Sequence, residues 1–181
     1  IQSLGVLPMD VKKDHIDFLS ADGHKWMLSV EGLGGFYISK EVVDKVRPVT
    51  MGWGNVINAA NFMDYDFTLQ ADAKKFEEGT PNTMSIHAFG AALELLLEVG
   101  IDNIEKRVMS LGDCVIGELK SRGIKIYSST LLSERSGNIS FALDKDVGRL
   151  YSFMLENKVK LTVRDGLVRF SPHFYNNEEE I

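Results

Sequence analysis

Between Thr83 and Leu119 the apolar residues recur at helical spacing, and a single glycine divides them into two runs. Met84, Ala88, Ala91, Leu95 and Val99 form one stripe, which Ala92, Leu93, Leu96 and Leu97 widen. A stripe that wide predicts a well-buried helix over 83–99. Gly100 supplies the left-handed residue that ends it. Asp102 is then expected to cap a second helix, with Glu105, three residues later, completing a capping-box pattern. Ile104, Val108, Leu111, Val115 and Leu119 make up its apolar face, and Gly123 closes it. The rest of the fold has to be arranged around this helix pair.

Upstream, residues 16–20 (IDFLS) and 35–38 (GFYI) are short apolar runs that suit buried strands. Between them lies SADGHKW, so Lys25 falls on a loop between two core strands. A short helix from Glu41 to Val46 ends before Pro48. Residues 49–80 carry few periodic signals, and an irregular stretch of that length is unusual unless it serves a function. Downstream the pattern alternates: strand IKIYS, strand NISFAL, a helix from Asp146 to Asn157, strand VKLTV and strand LVRFS. This is an α+β unit, and the boundary before it falls near residue 100, giving segments 1–100 and 101–181.

An apolar fraction of 44% and a charged fraction of 25% are those of an ordinary globular protein. A net charge of −6 gives no electrostatic reason to expect nucleic acid as a partner. No apolar run approaches the roughly 20 residues that span a bilayer, so no membrane partner is expected. The one cysteine, Cys114, allows no internal disulfide and no cysteine-based zinc cluster. It fits a reducing compartment, and a cytoplasmic setting is the expectation. His15, His87 and His173 lack metal-like spacing, and no metal site is expected. The chain opens on IQSLGVLPMDV and closes on an acidic run, EEEI, that reads as the first turn of a helix. It is therefore expected to be part of a longer protein.

Three segments could carry chemistry. Lys25 is flanked by His24, Trp26, Met27 and Leu28, which suggests partial burial. A lysine that sheds its charge is a nucleophile able to form a Schiff base, although a solvated surface lysine is the simpler local reading. GTPNT, residues 79–83, opens a helix and offers a hydroxyl and backbone N–H groups suited to a phosphate; on this stretch alone an ordinary N-cap by Asn82 or Thr83 is the better account. Arg169 lies in an apolar strand, where its planar fork suits a carboxylate, and a structural salt bridge is the competing account. GLGG at 32–35 does not open a helix and lacks the dinucleotide fingerprint.

Taken together, IQSLGVLPMDV, IDFLSADGHKW with EGLGGFYIS, FEEGTPNT, HAFGAALELLLEVGIDNIEKRV, SGNISF and VRFSPHFYNNEEEI resemble, in order and spacing, the class V aminotransferase and cysteine desulfurase family. These are pyridoxal-phosphate enzymes of fold type I. The resemblance implies an α/β fold: the second half of the large cofactor-binding domain, a mostly parallel sheet with helices, followed by a small α+β domain. It implies pyridoxal 5′-phosphate as cofactor and Lys25 as the lysine that carries it as a Schiff base and then moves the substrate α-proton. His24 would lie at the cofactor phosphate, and Gln2 would hydrogen-bond its 3′ oxygen. Thr80 would reach the phosphate bound in a second subunit, which implies a homodimer. Arg169 would grip the substrate carboxylate.

The chain departs from the family pattern in three ways. The family aspartate that pairs with the cofactor's ring nitrogen would precede Gln2 by two residues, outside this chain. Asp22 stands where desulfurases carry a serine. VKLTVRDGLVRF has no cysteine where desulfurases carry theirs, and Cys114 belongs to a different element. The reading is thus an amino-acid enzyme, most simply an aminotransferase using a keto acid as acceptor, with the chain inactive alone. A lyase or epimerase of the selenocysteine-lyase, kynureninase or isopenicillin-epimerase kind uses the same residues. A non-catalytic fold unit is the alternative of another class.

Overall fold

In the computed structural model, residues 1–143 and 146–181 are described. They form two compact units, one of residues 1–4 and 9–95, the other of residues 5–8 and 96–181. Among the described residues no single helix is long and apolar enough to cross a membrane.

In the first unit, β1 (Phe18–Asp22) and β2 (Gly34–Ile38) pair antiparallel, with Phe18 opposite Ile38 and Asp22 opposite Gly34. Both strands start one or two residues away from the apolar runs that predict them. They are less buried than those runs imply: Ala21 and Ile38 are buried, whereas Phe18 and Phe36 are half exposed. Phe36 gains an edge-on contact with Phe76 at 5.4 Å. Glu41–Val46 is not an α-helix but holds one 3₁₀ turn, Val43–Lys45.

Residues 49–80 are largely irregular, as expected, with 3₁₀ turns at Trp53–Asn55 and Ala73–Phe76. Buried polar groups organise them. Asn55 is fully buried; its amide donates to the Lys75 carbonyl at 2.7 Å, and its side-chain oxygen accepts from the Gly52 N–H. Lys75, itself buried, donates its ammonium to the Val43 carbonyl. The Gly54 N–H donates to Glu78 at 3.0 Å, and the backbones pass so closely that a Cβ on Gly52 would lie 2.1 Å from the Glu78 carbonyl oxygen. Only glycine fits there.

Helix α1 spans Thr83–Val99, the predicted extent. Its burial departs from expectation. Ser85 and Leu96 are buried, while Met84, Ile86, Leu95 and Leu97 are exposed, Met84 at 84%. The stripe records what those side chains seek, but among the described residues too little apolar surface meets them.

Helix α2 spans Ile101–Ser121. Gly100, at φ +85°, is its N-cap, so Asp102 lies inside the first turn rather than capping it. The two helices follow one residue apart and leave no position for another cap. Asp102 still faces the positive end of the helix dipole. Ile104, Val108, Leu111, Val115 and Leu119 are all buried, each burial being worth about 1.5–3 kcal/mol.

In the second unit the C-terminal part of this face, Val115 and Leu119, packs with Ile116 on a three-stranded antiparallel sheet of order β3 (Ile139–Phe141), β5 (Leu167–Phe170), β4 (Thr162–Arg164). All strand pairs among the described residues are antiparallel. Val115, Ile116, Leu119, Ile139, Phe141 and Val168 form the core. IKIYS contributes only one bridge, Ile126 to Phe141, and VKLTV pairs only from Thr162 on. Helix α3 (Val147–Glu156) is capped by Asp146, whose carboxylate accepts from Gly148 at 2.9 Å and Arg149 at 3.3 Å. Arg107 of α2 holds the end of the chain, meeting the Glu178 carboxylate with both guanidinium nitrogens and the Asn176 carbonyl at 2.8 Å.

Asn55→Ala should strand the Lys75 carbonyl and the Gly52 N–H, and should lower unfolding stability by about 1–3 kcal/mol in urea denaturation. The hydrogen bond from Arg107 holds the Glu178 carboxyl below its ordinary value of 4.5. A lowered folded value stabilises above the unfolded value and is lost as pH falls through the folded one. Amide exchange over 176–181 should therefore speed up below about pH 4.5 in excess of the intrinsic rate, and Arg107→Leu should abolish that excess.

Candidate active site

Lys25 sits in a tight turn at the end of β1. The Gly23 N–H donates to Leu33 at 2.9 Å, Ser29 closes back on the Gly23 carbonyl at 2.9 Å, and Leu28 donates to the Lys25 carbonyl at 3.1 Å. Leu28 adopts the left-handed region at φ +58°, which a leucine enters only under the constraint of its surroundings. Trp26 and Met27, the next two side chains, are buried and anchor the turn, while His24 is exposed. The lysine side chain is 34% exposed, so its amine stands at the surface of an otherwise buried corner.

The structure supplies two contacts that the sequence reading missed. The Lys25 ammonium lies 2.6 Å from the Asp22 carboxylate. A hydrogen bond from Lys25 holds the Asp22 carboxyl below the usual carboxylate range. Asp22, the residue that replaces a serine, is thus turned onto the lysine. The second contact joins the turn to the start of the chain: the Trp26 indole N–H donates to the Gln2 side-chain oxygen at 3.1 Å. A buried indole N–H needs a partner, and that need was the available signal.

Thr80 is exposed, just after Gly79, and takes no part in capping α1. Asn82 does that, its side-chain oxygen accepting from the Ser85 N–H at 3.2 Å. The ordinary N-cap account of GTPNT is therefore met by Asn82 and leaves the Thr80 hydroxyl free of it.

Arg169 belongs to the second unit. It lies on the central strand β5, opposite Ser140 on one side and Thr162 on the other. Its Nε is buried without a hydrogen-bond partner. Burial, reinforced by the Arg164 charge, pushes its guanidinium below the ordinary arginine value. Among the described residues no carboxylate forms an ion pair with it, so the structural salt bridge is absent. Arg135, more deeply buried, does meet a carboxylate, Asp113 at 2.5 Å, and the Met109 carbonyl at 3.2 Å, although its Nε and Nη1 lack partners among the described residues.

The model of the class-V aminotransferase family matches residues 1–181. The chain belongs to that family. It is 28% identical over 99% of its length to the uncharacterized aminotransferase YcbU of Bacillus subtilis, covering 47% of that protein. It is 32% identical, also over 99%, to a probable cysteine desulfurase of Pyrococcus abyssi, covering 48% of it. Among solved structures, the apo cysteine desulfurase of Thermococcus onnurineus superposes with a TM-score of 0.88 at 26% identity, over 99% of this chain and 48% of that one. The chain spans about half the length of the relatives it matches. The fold is that of these type I enzymes, and the family's cofactor is pyridoxal 5′-phosphate.

The first unit's residues fit that cofactor. A surface amine can meet an aldehyde, the exposed His24 can meet an anion, and Trp26 fixes the oxygen of the Gln2 amide so that its NH₂ end is left to donate. Ser29 adds a buried hydroxyl without a partner in the same turn.

Asp22→Asn should expose the lysine. At pH 8, acylation of Lys25 by an amine-reactive ester, followed by peptide mass mapping, should run about two- to fivefold faster than in the unaltered protein, the range expected for loss of an exposed ion pair.

Proposed function

We propose that the protein containing this chain is a pyridoxal-phosphate enzyme acting on an amino acid, most simply by transferring its amino group to a keto acid. The observation that carries the reading is the Lys25 turn, in which buried neighbours hold a surface amine in place. Bound cofactor supplies the electron sink for the substrate α-carbon. Lys25 would hold it covalently and would then take the α-proton as general base. Before either step the amine must part from Asp22 and give up a proton, because an ammonium has no lone pair. Gln2 would donate to the cofactor's 3′ oxygen and His24 would hold its phosphate. Thr80, not used in capping α1, reaches the phosphate in a second copy's site, which makes the working form a homodimer.

Arg169 grips the carboxylate that amino and keto acids share. Its support is the unpartnered Nε and the absence of an ion-pair partner among the described residues. An arriving carboxylate would satisfy the fork bidentately and fix which α-bond is held for cleavage.

A lyase or epimerase on the same residues is the second reading, favoured by the desulfurase names of several relatives. The one thiol of this chain, Cys114, is exposed on α2. The 159–170 stretch therefore offers no thiol for persulfide chemistry.

The test is borohydride reduction of the full-length protein after loading with pyridoxal phosphate, followed by peptide mapping. A pyridoxyl group on Lys25, lost in Lys25→Ala, is expected; a folded protein without it would support a non-catalytic unit. Appearance of a new amino acid from an added keto acid would separate transfer from elimination or epimerisation. Arg169→Ala should weaken amino-acid binding by about 2–5 kcal/mol in spectral titration. Unchanged affinity would make Arg169 structural.

A further inference from the structure

We propose that Trp26 is a positioning residue for the cofactor: its indole N–H sets which end of the Gln2 amide faces the 3′ oxygen. The inference rests on the cofactor role given to Lys25 and Gln2 above. A glutamine amide has an acceptor end and a donor end, and a free one turns either way. The indole N–H can only donate. At 3.1 Å from the Gln2 oxygen it therefore engages the acceptor end, and the NH₂ becomes the end left for a ligand. A phenolic oxygen that is ionised needs a donor, and this orientation provides one.

The geometry makes Trp26 suited to the task. It is 94% buried by its surroundings, with 6% of its surface exposed, and it sits in the turn closed by the Ser29-to-Gly23 and Leu28-to-Lys25 hydrogen bonds. The rigid turn that carries the lysine thus also fixes a group 24 residues away in sequence. Lys25 and Gln2 are held in common register by one side chain that itself needs no contact with the cofactor.

The experiment uses full-length protein loaded with pyridoxal phosphate and follows the bound cofactor's absorption against pH. Trp26→Phe keeps the ring and its packing but removes the N–H. It should still yield the pyridoxyl adduct on Lys25, with the midpoint of the spectral titration raised by about half a pH unit to one unit, as loss of one hydrogen bond predicts. Gln2→Leu, which removes the donor outright, should give a rise at least as large, and adding Trp26→Phe to it should give no further rise, because Trp26 acts only through the Gln2 amide. An unmoved midpoint in Trp26→Phe, or a shift that simply adds to that of Gln2→Leu, overturns the proposal. Should Trp26→Phe fail to fold, hydrogen exchange of the Trp26 indole N–H in Gln2→Leu decides: faster exchange supports the contact and unchanged exchange refutes it. If the unaltered protein yields no adduct on Lys25, the cofactor reading falls and this inference with it. If the adduct forms and only the midpoints fail to move, the cofactor reading stands and the Trp26 role alone falls.

Discussion

The backbone of the turn after β1 governs what the first unit can do. Gly23 is tied at its N–H to Leu33 and at its carbonyl to Ser29, so the segment between is closed on itself. Closure drives Trp26 and Met27 inward and leaves Lys25 at the surface. It also places Leu28 in the left-handed region, a conformation that the burial of its neighbours sustains. A lysine on a loose loop would spread over many rotamers; here its Cα is fixed by main-chain hydrogen bonds and its neighbours by burial. The precision expected of a covalent catalyst begins in that closure.

Charge is handled differently at the two ends of the proposed chemistry. Lys25 rests against Asp22, which neutralises it and keeps the carboxylate ionised. Among the described residues Arg169 has no such neighbour, and Arg164 adds like charge. An arginine cannot discard its proton to relieve burial, so the cost persists until an anion arrives. A lysine can discard its proton, and the chemistry assigned to it requires that it do so. The pairing of one cation and the isolation of the other suit the two roles proposed for them: a group that reacts after release, and a group that binds.

Local patterns made much of this legible. The α2 face was readable because five positions at helical spacing are all buried, and its stop was readable in Gly123. The α1 limits were readable from the extent of the helical spacing and from Gly100, although much of that stripe is exposed. The cap of α2 was misplaced because Asp102 has the right side chain but Gly100 already occupies the only junction position. The strand IKIYS faded to one bridge, since edge pairing depends on how far a neighbour runs alongside.

The sequence by itself determined the helix pair, the residue types Lys25 and Arg169 in apolar surroundings, and the family. Each is encoded in short spacings or in the order of motifs. Tertiary structure alone decided that Asp22 meets the lysine, that Trp26 meets Gln2, that Arg169 lacks a carboxylate among the described residues, and that much of the α1 stripe lies exposed. The physical reason is common to all four. A side chain's partner and its burial are properties of the surface brought against it, and that surface comes from folding of the chain.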